Sequence, residues 1–358
     1  MGFKPNLKSR PPSQPIPRTL KRYAVCLVVS WTTRSCIFLM PYLYVKLTEM
    51  LDYGARVNYI ELMRKLDTKT RALIVRLLVE GNSIRATSRI ADVSKNTVNK
   101  LLVDAGASCA KYHDEHVRNV KASVIQCDEI WSFTYAKQKN VPTAKDAPEG
   151  AGDTWTWTAI DSDSKLIVSY MVGGRDSGYA IEFMDDLRDR LANRVQLTTD
   201  GHKAYLEAVE GAFGGDVDYA QLIKIYGGAT GTKGHEKKYS PAECTGIKKR
   251  TVEGRPDKAL ISTSYVERQN LTMRMHMRRF TRLTNGFSKK VENHMHAVAL
   301  HFMYYNFVKV HQTLKVTPAM EAGLTDRLWD IADLVAIIDA NEEAPKKRGP
   351  YKKRNVIT

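Results

Sequence analysis

The feature that most restricts this chain is a carboxylate in the middle of an apolar run. Residues 123–135, Ser-Val-Ile-Gln-Cys-Asp-Glu-Ile-Trp-Ser-Phe-Thr-Tyr, carry the β-branched and aromatic side chains of a strand, with Asp128 in its interior. An isolated acid taken out of water is costly unless it is paired or bound to a cation. A fold that accepts this segment must therefore bring a partner to Asp128, and a divalent ion supplies one. The residues that follow describe a sheet. Trp155 to Ile160 alternates with period two, Asp161 to Ser164 turns the chain, and Leu166 to Val172 returns it as a hairpin. Ala180 to Leu191 has the spacing of an amphipathic helix, Val195 to Thr199 is a short strand ending at Asp200-Gly201, and a helix follows over roughly His202 to Val209. Tyr219 to Tyr226 is a further strand. The order β-β-β-α-β-α-β predicts an α/β fold, a sheet of mixed parallel and antiparallel type flanked by helices.

A Gly- and Lys-rich connection, 227–263, reads as an inserted loop and leads into a helix predicted over 264–282. At about 100° per residue, Glu267, Arg274 and Arg278 share one stripe with Asn270 beside it, while Val266, Met273, Met277 and Phe280 form the packing face. Between Arg268 and Lys290 there are seven Lys or Arg and no acid, the charge footprint of a phosphate backbone. Periodicity alone leaves open a solvated basic face on which Glu267 is one surface acid among several.

Before the sheet, the pattern is helical. Leu73, Leu77 and Leu78 recur until Gly81-Asn82, Ser83 can cap a helix to Ala91, and Ser94 can cap a third helix with Val98, Leu101 and Leu102 inward and Gly106 closing it. Asp92 stands in the turn, where its tolerance of left-handed backbone serves. Two short helices around a tight turn read as a helix-turn-helix, with Lys95, Asn96, Thr97 and Asn99 placed to meet base edges in DNA.

Charge has to be localised before it is used. The formal net charge is +16, yet residues 1–22 hold six Lys or Arg and 346–358 hold six more, with no acid in either; taking these away leaves +4 for the rest. Residues 1–22 are also Pro-rich, and the apolar stretch after Lys21-Arg22 is interrupted by Arg34, which argues against a membrane anchor. An arm, or a start upstream of Met50 or Met63, accounts for residues 1–62. Five cysteines, odd in number and without a C-x-x-C pair, argue against a disulfide scaffold or thiolate zinc site and fit a reducing, cytoplasmic setting.

Several short segments resemble a known family. Asp128-Glu129-Ile130-Trp131-Ser132, Thr199-Asp200-Gly201, Val266-Glu267-Arg268-Gln269-Asn270-Leu271 and Phe287-Ser288-Lys289 are similar to motifs of the insertion sequence one type of bacterial transposases. Tyr305-Asn306-Phe307, His311-Gln312-Thr313-Leu314 and Thr317-Pro318-Ala319 resemble the tail of the wider transposase and retroviral-type integrase group. The likeness covers about residues 65–320. It implies a ribonuclease-H-like catalytic core whose metal-binding and catalytic carboxylates are Asp128, Asp200 and Glu267, with Arg268, Asn270 and Arg274 near DNA. It also implies a Mg²⁺-dependent transposase, with Mn²⁺ as a substitute. Such an enzyme cuts the ends of its element and joins the 3′-hydroxyls to target DNA, acting as a homo-oligomer in the nucleoid. Phosphoryl transfer of this kind suits two hard divalent ions about 3.5–4 Å apart, held by a few carboxylates.

The resulting organisation is an extension (1–62), a helix-turn-helix module (63–118), a catalytic core (119–290), C-terminal helices (291–345) and a basic tail (346–358). In the tail, Lys347 and Arg348 flank Gly-Pro like a minor-groove hook and are assigned to phosphate contacts. Among rival groups, Glu129 should point to the opposite face of its strand from Asp128 and lie outside the site. Asp161 and Asp163 should serve their turn, and Glu292 is an alternative third ligand. His294 and His301, a heptad apart, should pack rather than ligate, while His202 is placed to touch substrate. Two other functions remain open: a nuclease or integrase on the same fold without transposition, and a catalytically silent helix-turn-helix regulator.

Overall fold

The computed structural model describes residues 66–227, 244–281 and 284–342. The extension 1–62 and the tail with Lys347 and Arg348 lie outside the described residues. Three helices open the described chain: α1 (Thr68–Val79), α2 (Ile84–Ile90) and α3 (Lys95–His116). Each start is fixed by a side-chain cap, Asp67, Ser83 and Ser94 accepting from the amides of Thr70, Ala86 and Thr97. Asp92 carries the turn between α2 and α3 at φ 50°. The buried face of α1 is Ile74, Val75 and Val79, not the Leu73/Leu77/Leu78 set; Leu73 is exposed. Gly106 does not end α3. It lies in mid-helix, where a Cβ would overlap the His296 backbone, so the glycine is there for close helix approach.

The sheet has six strands: β1 (Val124–Thr134), β2 (Gly152–Asp161), β3 (Ile167–Gly173), β4 (Val195–Thr199), β5 (Val217–Tyr226) and β6 (Cys244–Glu253). Their spatial order is β3-β2-β1-β4-β5-β6. The first three strands are antiparallel neighbours, β4 lies parallel to both β1 and β5, and β6 closes the edge antiparallel to β5. Helix α4 (Ser177–Arg190) joins β3 to β4, and α5 (Ala204–Phe213) joins β4 to β5. The mixed α/β sheet flanked by helices is thus observed.

β6 corrects the reading of 227–263 as a loop. Its side chains are mostly exposed and include Lys248, Lys249 and Arg250, so the alternation that marks a half-buried strand is missing; pairing with β5 holds it. Beyond it come α6 (Ser264–His276), a 3₁₀ turn (Arg278–Phe280), α7 (Val291–Met303) running into a π turn (Tyr304–Val308), α8 (Pro318–Glu321) and α9 (Ile331–Asn341). A single apolar cluster runs from Ile74 through the sheet to Ile338. His113 near the end of α3 bonds the Ile167 carbonyl in β3 (3.2 Å), and both Asn306 amide atoms bond the Ile167 backbone (2.9 and 3.0 Å). No helix among the described residues is long and apolar enough to cross a membrane.

Candidate metal centre

Strand pairing puts the first two acids abreast. β1 and β4 run parallel with Gln126 opposite Thr198, the last paired position, and Asp128 and Asp200 each follow two residues later. β4 stops at Thr199, so β1 continues past this point with no strand on that side, until Thr134 at its end bridges to Ser288. The opening is a cavity of about 710 Å³ lined by Asp128, Asp200 and Glu267 together with the cations Arg175, Lys203 and Lys224.

The two faces of β1 are covered by different helices. On one, Gln126 Oε1 accepts from the amides of Tyr265 (2.8 Å) and Val266 (3.3 Å), which seats the start of α6 on the sheet. One turn further along that helix, Asn270 Nδ2 donates to Asp128 Oδ2 (2.8 Å). The amide of Asn270 is thus used on the carboxylate. On the other face Glu129 sits across from Trp157, whose indole packs among Phe183, His202 and Tyr205.

Glu129 does point to the opposite face from Asp128, yet it is not outside the site. Oxygens of Asp128, Glu129 and Asp200 all lie within 4.8 Å of one another. The physical reason is the short β4: with no strand beside β1 just beyond this position, carboxylates from both faces can converge on Asp200 around the unpaired strand edge. The Glu129 side chain is 0% exposed, and neither oxygen has a hydrogen bond. Arg175 Nε (3.6 Å) is the nearest cation, and the His202 imidazole Nδ1 lies equally close (3.6 Å). Burial first, then the negative charge of Asp200, pushes the Glu129 carboxyl up to about 8. Burial and the charges of Asp200 and Glu267 push Asp128 up to about 7, against the pull of the Asn270 hydrogen bond. Close acids held this way, with buried oxygens unpartnered, fit a divalent cation.

Asp200 is oriented by its own turn, Oδ1 accepting from the His202 amide (2.8 Å). His202 reaches the cavity wall, and burial and Arg175 hold its imidazole below its usual range. Glu267 lines the same cavity but stands apart from the tight cluster. Its oxygens accept from Lys224 Nζ (2.5 Å) and Thr263 Oγ1 (2.5 Å).

Arg268 is exposed on α6 and Arg274 is half-buried there. Arg278 departs from the predicted stripe, because α6 ends at His276 and Arg278 begins a separate 3₁₀ turn. The apolar side chains predicted for that face, Val266, Met273, Met277 and Phe280, are nonetheless all buried. Lys95 and Asn96 are exposed at the start of α3, Asn99 is half-buried, and the Thr97 hydroxyl is shared with Ser94 (2.9 Å). Asp161 serves its turn through Ser164 (2.9 Å to the amide), and Glu292 is exposed and lines no part of the cavity. Sequence reasoning passed over Arg175 and Lys224. The Gly173-Gly174-Arg175-Asp176 turn after a strand was the available signal for the first. Comparison with protein-family models and with curated proteins finds no match.

Proposed function

We propose that this chain is a DNA transposase that cleaves the ends of an insertion sequence and joins the freed 3′-hydroxyls to target DNA. The observation that carries this reading is the convergence of Asp128, Asp200 and Glu267, from three separate elements, on one cavity that also holds three cations. The strand order, three antiparallel strands followed by two parallel ones, is compatible with a ribonuclease-H-like core.

Asp128 and Asp200, with Glu129 behind them and Glu267 across the cavity, are the residues that would hold Mg²⁺ or Mn²⁺. Divalent ions bound there would supply activation of the attacking oxygen and neutralisation of charge on the phosphate. The chain's own groups prepare the site. Asn270 fixes the Asp128 carboxylate, the His202 amide fixes Asp200, and Thr263 with Lys224 hold Glu267 extended toward the cavity. Lys203, Lys224 and Arg175 give a polyanionic strand an attractive wall beside acids that would otherwise repel it. The polar N-terminus of α3 and Arg268 on α6 are the further DNA contacts in this reading, with Arg274 and Arg278 near them.

The test uses duplexes copying the terminal repeats that flank the coding sequence, with Mg²⁺. Asp128→Asn is expected to abolish both cutting and 3′-end joining while still binding the repeats. Cutting or joining by that variant overturns the assignment. A wild-type chain that nicks without ever joining is a nuclease instead, and one that binds without nicking is a regulator.

A further inference from the structure

We infer that Arg175 is the residue that receives a non-bridging phosphate oxygen of the DNA strand in this cavity. The inference deepens the nucleic-acid reading of the site and rests on it. Arg175 lines the cavity, and its side chain is 35% exposed, enough for a ligand to reach. The guanidinium carbon lies 4.5 Å from the centre of the Trp155 ring, so the aromatic face supports the plane of the group. Its nearest acids are Glu129 at 3.6 Å and Asp200 at 3.8 Å, both beyond hydrogen-bond length. It makes no hydrogen bond to any described residue, so its charge is balanced while its donors are unused.

The backbone on either side of Arg175 is tied down. Trp157 Nε1 donates to the Gly174 carbonyl (2.9 Å), and Asp176 Oδ1 accepts from the Gly178 (3.0 Å) and Tyr179 (3.3 Å) amides at the start of α4. The glycines before Arg175 leave no room for a side chain, since a Cβ on Gly173 would overlap the Tyr179 ring. A planar fork held on an indole, at the mouth of an acidic cavity and with unspent donors, matches a phosphodiester. The other two cations of the cavity do not meet this description, because Lys224 is already bonded to Glu267 and Lys203, exposed, offers a point charge rather than a planar fork.

A purely structural counter-ion would lower the field on Glu129 and Asp200 without recognising any one phosphate, and this separates the two roles. The experiment pairs Arg175→Ala and Arg175→Lys with terminal-repeat duplexes carrying one neutral methylphosphonate at successive positions around the cut. Binding is measured in Ca²⁺ and cleavage in Mg²⁺, and Mg²⁺ affinity is followed by calorimetry. Loss of a charged contact predicts that Arg175→Ala weakens binding and kcat/KM by about ten- to a hundredfold. At one position the methylphosphonate should cost the wild type a similar factor and cost Arg175→Ala nothing more. Arg175→Lys should recover only part, since it lacks the flat fork. Penalties that multiply at every position, or an Arg175→Ala protein equal to wild type, overturn the inference while leaving the transposase reading standing. A wild-type chain that neither binds nor cuts these duplexes overturns both.

Discussion

The cavity at the end of β4 and the seam between β1 and α7 both take ionisable side chains out of water, and they leave them in opposite conditions. In the seam, the His294 imidazole lies between Ser132 Oγ (3.3 Å) and Ser288 Oγ (3.2 Å), Ser132 donates to the Thr154 carbonyl (2.9 Å), and Arg279 donates to Ser288 (2.7 Å). Burial, then the positive charge of Arg279, pushes His294 down to about 3, so the ring is neutral and partnered. Behind the cavity, Glu129 is buried with both oxygens unpartnered beside two acids that line it. A satisfied polar network belongs to the fold; an unsatisfied one stores repulsion that a ligand can relieve. His301, further along α7 and beside His276, has neither nitrogen bonded, though a neutral imidazole orphaned this way costs far less than a carboxylate.

The contrast predicts substitutions of opposite sign. Truncating the seam, His294→Ala, removes a fully buried side chain and takes one hydrogen bond from each of two serine hydroxyls. It should destabilise the protein by about 2–4 kcal/mol, with activity per folded molecule unchanged. Urea unfolding checks this, and an unmoved midpoint would show that the network holds nothing in place. Behind the cavity, Glu129→Gln imitates the protonated form, which the folded protein favours far more strongly than the unfolded chain does. The metal-free protein at pH 8.5 should gain about 1–3 kcal/mol, and Mg²⁺ affinity should drop about tenfold or more. Stability and binding moving together, rather than apart, would place Glu129 with the structural polar groups.

Most of the sheet was legible because its strands follow simple rules. Val195–Thr199 matches the observed bounds, since a short run rich in β-branched residues is cut off by the turn residues Asp200-Gly201. β6 was not legible: an exposed edge strand with Lys248, Lys249 and Arg250 carries no burial pattern to detect. On α6 the burial of Met277 and Phe280 was foreseen while the end of the helix at His276 was not, because a 3₁₀ turn kept both side chains on the packed face. The carboxylates Asp128 and Asp200 could be picked out by their strand contexts. That Glu129 joins them depends on where β4 ends relative to β1, which is a matter of register between distant segments and leaves no local trace. Gly106 misled for a related reason, its role being set by His296 on another helix.

The same contrast extends to the dependence of stability on pH, where the two regions pull in opposite directions. His294 and His301 are held near 3 and His113 near 4, each chiefly by burial. An unfolded chain takes up protons on these residues around pH 6.5 while the folded one does not, so their contribution is present above that pH and is lost as pH falls toward 3. Asp128 and Glu129 behave conversely. Raised to about 7 and about 8, they contribute stability below the ordinary carboxylate range, and it is lost as pH rises through those values. Metal-free protein should therefore be most stable between the two arms, with each buried group altering stability by at most about 1.4 kcal/mol per pH unit. Mg²⁺ binds the deprotonated acids, so adding it should flatten the alkaline arm and leave the acid arm unchanged. Thermal unfolding from pH 5 to 9, with and without Mg²⁺, tests this. A Mg²⁺-dependent gain that is the same at every pH would mean that the ion binds somewhere other than the buried acids of β1.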